Sequence, residues 1–130
     1  MLIDTNALIW YGLQPERLSK RAAKLIREKS NYYSYVSVWE MAIKSSLGKL
    51  QLRTPDGRRA SAKHFMLSIV RELQLSPLPL QFDDFADVEQ LPQHHNDPFD
   101  RLLVVQATRC QLPVISADSC FDSYGIRRVW

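Results

Sequence analysis

Leu2-Ile3-Asp4-Thr5-Asn6-Ala7-Leu8-Ile9-Trp10 is the stretch that decides the fold. Leu2-Ile3 is a short apolar run and reads as a buried strand ending at Asp4; Ala7 to Leu13 then reads as a short helix. A carboxylate placed straight after a buried strand is costly without a partner, so Asp4 calls for a cation or a donor.

Outward from this unit the same grammar repeats. Ser19 is an N-cap for a helix through about Lys29, with Ala22, Ala23, Leu25 and Ile26 on its apolar face, and Asn31 ends it. Tyr32 to Val36 is β-branched and aromatic, a second strand. A helix then opens at Ser37 and stops at Gly48. Arg53 to Ala60 is a Pro/Gly/Arg loop, and Ser61 caps a helix reaching about Leu73. The prolines of Leu75 to Leu80 place that strand and turn at a sheet edge. A small helix follows over about Asp83 to Gln90. Asp97-Pro98 starts a strong helix through Arg109, Val114 to Ser116 is a strand, and Ile126 to Val129 is the last one. Strands that alternate with helices predict an α/β fold, a parallel sheet with helices on both faces.

The 130 residues suit a single domain, 1–130, with an ordinary apolar share of 45%. No apolar run approaches the roughly 20 residues that span a bilayer. The start has no basic segment and no long apolar core, so it is not read as a signal peptide. Cys110 and Cys120 fit no zinc spacing and read as reduced thiols of a cytoplasmic protein. Net charge is +3, but residues 14–63 carry twelve Lys/Arg against four acids, while residues 64–100 carry seven acids against one Arg. A basic half beside an acidic half suits a polyanion-attracting surface next to a cation site, or simply two solvated faces.

Four junctions carry carboxylates. Asp4 ends the first strand, Glu40 lies early in the third helix, Asp97 and Asp100 flank the start of the long helix, and Asp118 follows the Val114–Ser116 strand. In open α/β sheets ligands bind beyond the carboxyl ends of the strands, where these positions converge. Several carboxylates together repel, and their hard oxygens suit Mg²⁺ or Mn²⁺. Such an ion activates water for phosphodiester hydrolysis without a covalent nucleophile. Singly, each acid has an ordinary explanation. Ser37-x-x-Glu40 is a capping-box pattern, and Glu40 stands four residues before Lys44. Asp97 is an N-cap, Asp100 faces a helix dipole, and Asp118 suits a turn.

The quoted start, Val36-Ser37-Val38-Trp39-Glu40-Met41-Ala42-Ile43-Lys44 with Leu47-Gly48-Lys49-Leu50, the run Leu91 to Ala107 containing Asp97-Pro98-Phe99-Asp100-Arg101, and Ser116-Ala117-Asp118 with Phe121 and Tyr124 together resemble a PIN domain of the VapC toxin type. The order and spacing agree over nearly the whole chain. The resemblance implies a three-layer α/β/α sandwich and a Mg²⁺- or Mn²⁺-dependent endoribonuclease of the prokaryotic cytoplasm. It also implies a homodimer and neutralisation by a small antitoxin. Carried over by position, it makes Asp4, Glu40, Asp100 and Asp118 the catalytic, metal-holding quartet and Asp97 an additional metal-side acid. Thr5 and Ser116 become supporting polar neighbours. Asn6 stands where this subgroup usually has His, so it offers hydrogen bonds but no proton. Asp84-Phe85 replaces a usual His-Ala.

Arg101 is expected to pair with a pocket acid rather than contact phosphate. His94 and His95 suit loop or supporting roles, because adjacent histidines point apart. Trp10, Tyr11 and Trp39 suit core or dimer surface. Lys20, Arg21, Lys24, Lys44, Lys49, Arg58 and Arg59 are candidates for guiding RNA, each equally at home as a solvated charge. The alternatives are a metal-dependent DNA nuclease or phosphatase using the same acids, or a non-catalytic protein whose acids pair with a partner's arginines. An antitoxin arginine in the acidic pocket would displace metal in the same way.

Overall fold

The computed structural model describes residues 1–28 and 30–130. Five strands, β1 (Leu2–Ile3), β2 (Tyr32–Ser34), β3 (Ser76–Leu78), β4 (Val114–Ile115) and β5 (Arg128–Val129), form one all-parallel sheet in the order β3-β2-β1-β4-β5. Leu2 pairs with Tyr32 on one side and Val114 on the other, so β1 is central and β3, with Pro77, is an edge. The helices among the described residues are α1 (Thr5–Leu13), α2 (Lys20–Arg27), α3 (Tyr35–Ser46), α4 (Ala62–Leu73), α5 (Phe82–Gln90), α6 (Pro98–Arg109) and the short α7 (Cys120–Ser123).

Successive strand residues point to opposite faces, and the core divides accordingly. Ile3 and Ile115 pack with α1, α2 and α4 through Leu8, Ile26, Phe65 and Ile69. Leu2 and Val114 pack on the other face with α6 and α7 through Leu103, Val104 and Phe121. The result is the expected three-layer α/β/α sandwich, with strands buried on both faces. Helices α1 and α4 meet closely at Gly12, where a Cβ would lie 2.5 Å from the Phe65 ring.

Local signals explain most boundaries. Ser19 and Ser61 cap α2 and α4 as read, accepting from the backbone N–H groups of Ala22 and His64. The Asn31 amide donates to the carbonyls of Leu25, Ile26 and Glu28, closing α2; Lys29, its expected last residue, lies outside the described residues. Gly48 adopts φ 70° and turns the chain back, so that Lys49 N–H bonds to Lys44 C=O at 2.9 Å.

Several boundaries need correction: β4 ends at Ile115, before Ser116, and β5 begins at Arg128 rather than Ile126. Helix α1 starts at Thr5, straight after the strand. Helix α3 starts at Tyr35, because Ser34 rather than Ser37 is its N-cap and accepts from Val36 N–H at 2.9 Å. The expected Ser37–Glu40 capping box is therefore not formed; both residues are buried inside the helix. No helix among the described residues is long and apolar enough to cross a membrane.

Candidate active site

The chain runs β1-β2-β3 to one side and places β4 on the other side of β1, so the connections diverge between β1 and β4. Beyond the carboxyl ends of these strands lies a crevice of the kind that binds ligands. Asp4 leaves β1 there, 2% exposed. It occupies the N-cap position of α1 but its side chain makes no capping bond. Instead Ser116, leaving β4, donates its hydroxyl to Asp4 Oδ2 at 2.8 Å across the crevice. Ser116 Oγ in turn accepts from Asp118 N–H at 3.0 Å. Asp118 Oδ1 accepts from Cys120 N–H at 2.8 Å, the turn geometry open to an aspartate at that spacing.

Helix α3 supplies the third wall. Thr5 Oγ1 donates to Ser37 Oγ at 3.0 Å, both residues buried, and this bond ties the start of α1 to α3. One turn on from Ser37, Glu40 is 3% exposed and its Oε1 is paired with Lys44 Nζ. Helix α6 supplies the fourth wall. Asp97 caps it, its Oδ1 accepting from Phe99 N–H at 2.8 Å and Asp100 N–H at 3.4 Å. Asp100 Oδ2 lies 3.5 Å from His95 Nδ1, and Asp118 Oδ2 lies 3.8 Å from His95 Nε2.

The acids are close enough to act on one another. Burial, and then the Glu40 charge, push the Asp4 carboxyl up to about 6 against the help of Ser116. Burial pushes Asp100 up to about 8, with Asp4, Asp97, Glu40 and Asp118 adding to it. Burial alone would lower Lys44, but its bond to Glu40 and the charges of Glu40, Asp97 and Asp100 hold it above its ordinary value. Burial and the Asp118 charge push the Cys120 thiol up to about 12, so it stays protonated.

Two carboxylate oxygens, Asp4 Oδ1 and Glu40 Oε2, are buried with no hydrogen-bond partner among the described residues. Orphaned buried anionic oxygens beside further carboxylates fit a hard divalent cation, and the donor set is the oxygen-rich kind that Mg²⁺ and Mn²⁺ take. Asp4, Glu40, Asp97, Asp100 and Asp118 thus share one neighbourhood, with Thr5 and Ser116 holding its walls.

Arg101 does not join them. Its guanidinium donates to the carbonyls of Val88 (2.7 Å), Leu91 (3.2 Å) and Pro92 (3.0 Å), and no ion pair to a pocket acid forms among the described residues. The expected pairing is corrected: Arg101 fastens the loop before α6. Tyr124 helps, accepting from His95 N–H and donating to Pro92 C=O, each at 3.0 Å. Asn6 is exposed beside the cavity. The two histidines part as anticipated: His95 turns to the acids, and His94 packs on Tyr124 with ring centroids 5.1 Å apart. Sequence reasoning passed over Cys120, which with His95 and Asp118 brings ligand-type atoms within 4.8 Å of one another. The Asp118-x-Cys120 spacing is the only signal that pointed to it. Asp84 has no part in the site. It is fully buried, accepts from Gln81 N–H at 2.8 Å and binds Arg109 through both oxygens.

The family model described as PIN domain matches residues 1–126, and the chain belongs to the PIN-domain family, a nuclease-type fold whose members generally use divalent metals. Its fold is shared with solved structures. FitAB bound to an IR36 DNA fragment aligns with TM-score 0.65 and 18% identity, covering 98% of this chain and 92% of that one. FitAcB from Neisseria gonorrhoeae aligns with TM-score 0.61 and 18% identity, covering 99% and 96%. No curated protein gives a significant sequence match to the chain.

Proposed function

We propose that this protein is a metal-dependent endoribonuclease, the toxin of a toxin–antitoxin pair. The observation that carries this is the pair of partnerless buried oxygens, Asp4 Oδ1 and Glu40 Oε2, in a cluster of acids from four separate elements. Asp4, Glu40, Asp100 and Asp118 would hold Mg²⁺ or Mn²⁺, with Asp97 at the side. When bound, such an ion polarises the phosphodiester and lowers the pKa of an attacking water.

The chain's own residues do the positioning. Ser116 fixes the Asp4 carboxylate by donating to Oδ2, which leaves Oδ1 without a protein partner. The Thr5–Ser37 bond sets the start of α1 against α3, and hence Asp4 against Glu40. His95 accepts from Asp97 N–H through Nδ1 at 3.1 Å and so sits between Asp100 and Asp118. Lys44 offsets part of the acidic charge. Asn6 offers an amide to substrate but cannot exchange a proton.

The motif resemblance and the shared fold of FitAB and FitAcB support a small antitoxin as partner. A homodimer and a prokaryotic cytoplasmic setting belong to the same reading. Tyr35, Trp39 and Leu67, all exposed, line an apolar groove between α3 and α4 of the kind a protein partner covers. The test compares single-stranded RNA, single-stranded DNA, flap DNA and a small phosphate ester in Mn²⁺ and in EDTA. RNA cleavage that EDTA stops supports the proposal; turnover of only DNA or only the ester, or of none, overturns it.

A further inference from the structure

Beside the acidic cavity lies a second recess of opposite charge. Asn6, Trp10, Gln14, Arg17, Lys44 and Lys49 line it, and among its described lining residues there is no carboxylate. We infer that this recess binds a backbone phosphate of the RNA strand next to the bond being cut, with Arg17, Lys44 and Lys49 as the phosphate-binding groups. The ligand class rests on the nuclease reading above; the geometry does not.

Three features bring the cations together. The left-handed Gly48 folds the chain back over the end of α3, and the backbone N–H groups of Lys49 and Leu50 both bond to Lys44 C=O, at 2.9 and 3.2 Å. That closure brings the backbone of Lys49 against that of Lys44, five positions earlier. Arg17 comes from the 3-10 turn after α1. Its guanidinium lies 4.2 Å from the centre of the Trp10 ring, and Nη1 donates to Gln14 at 3.2 Å. It is thereby held on the recess wall with donors to spare. Asn6 is exposed on the recess wall, and Lys44, which also lines the recess, pairs with Glu40, so the recess adjoins the acidic cluster.

Lys44 joins the two. Lys44 lines the recess, and its ammonium is the partner of Glu40, under the influence of Asp97 and Asp100. A cation bound among the acids would compete with Lys44 for Glu40 and free it for phosphate. Arginine and lysine groups facing one recess suit a phosphodiester strand, which carries a charge at every residue. The Trp10 ring is already covered by Arg17 and edged by Trp130 at 5.5 Å, so it serves as wall and not as a platform for a base.

The test is fluorescence anisotropy of a labelled single-stranded RNA 12-mer with all the acids in place and Ca²⁺ in place of Mn²⁺, so that an ion is held without supporting cleavage. Lys49→Gln and Arg17→Gln alter exposed side chains, which leaves folding intact. Each is expected to weaken binding about five- to tenfold at 0.1 M salt and to lower the slope of log K against log salt by about 0.7, the loss of one phosphate contact. Arg127→Gln, just before β5 and so at the amino ends of the strands, is expected to change neither. Affinity and slope within twofold of the parent for both recess variants, or an equal loss with Arg127→Gln, would overturn the assignment. So would an oligoglutamate peptide whose binding is lost in Lys49→Gln while RNA binding is kept. If the wild-type protein cuts no nucleic acid yet RNA binding depends on Lys49 and Arg17, the nuclease reading falls and the recess stands. Cleavage by the wild type with unchanged binding in the recess variants overturns the recess alone.

Discussion

Replacing Asp4 with Asn should make the metal-free protein more stable while removing its response to metal. The Asp4 carboxyl is raised from 3.8 to about 6 by burial and by Glu40. An acid raised in the folded state is charged more readily in the unfolded state. Stability is therefore full below about pH 4, falls as pH rises toward 6, and stays reduced above it. Each unit corresponds to about 1.4 kcal/mol, so the penalty at pH 8 is on the order of 3 kcal/mol. Asn is neutral, can still accept from Ser116, and presents an amide toward the Glu40 side. In EDTA at pH 8, Asp4→Asn should raise Tm by roughly 5–10 °C, taking about 3 °C per kcal/mol for a chain of this size. At pH 4 the gain should nearly vanish. Saturating Mn²⁺ at a hundred times its Kd should stabilise the wild type by about 2.7 kcal/mol and the variant far less. Differential scanning fluorimetry at pH 4 and 8, with EDTA and with Mn²⁺, reads all four arms. A variant less stable than wild type in EDTA at pH 8, or one stabilised by Mn²⁺ as much as wild type, would refute the reasoning.

Three further outcomes follow from other contacts. Ser116→Ala removes the donor to Asp4 Oδ2 and the acceptor for Asp118 N–H, and should lower cleavage at pH 7 at least tenfold with modest loss of stability, read by single-turnover kinetics beside urea unfolding. Asp84→Ala strands part of Arg109 and the Gln81 N–H, and should cost about 2–4 kcal/mol in urea unfolding without altering cleavage per folded molecule. Cys120, with its thiol pushed up to about 12, should react with iodoacetamide at pH 8 at least tenfold more slowly than a free cysteine, followed by mass spectrometry.

Much of the fold was legible because its signals are local. Leu2-Ile3 and Val114-Ile115 are apolar at both positions, as strands covered on both faces must be. Pro77 kept its strand at the edge, and Asp97-Pro98 marked the start of α6. Where two caps competed, the pattern misled. Ser37-x-x-Glu40 has capping-box spacing, but Ser34 already satisfies the helix start, and burial directs Ser37 to Thr5 and Glu40 to the cavity. Most of the acids could be gathered from sequence because Asp4 and Asp118 follow strands and Asp97 and Asp100 open a helix on the carboxyl edge of the sheet, while Glu40 lies in the second turn of α3. The target of Arg101 could not. It is set by three carbonyls at the end of α5 and in the loop after it, nine to thirteen residues away, whose path depends on tertiary packing. The recess was legible only in part: Lys44 and Lys49 stood among the candidate RNA-guiding cations, but Arg17 did not, and no local signal shows that the Gly48 turn and the Trp10 ring bring the three to one recess.

Anomalous diffraction from crystals soaked in Mn²⁺ examines the cation cavity itself. A peak bonded to Asp4 together with Glu40, Asp100 or Asp118, at the positions facing Asp4 Oδ1 and Glu40 Oε2, is the predicted result. A fully occupied ion elsewhere on the molecule, or no bound ion at saturating Mn²⁺ and pH 8, would contradict the account.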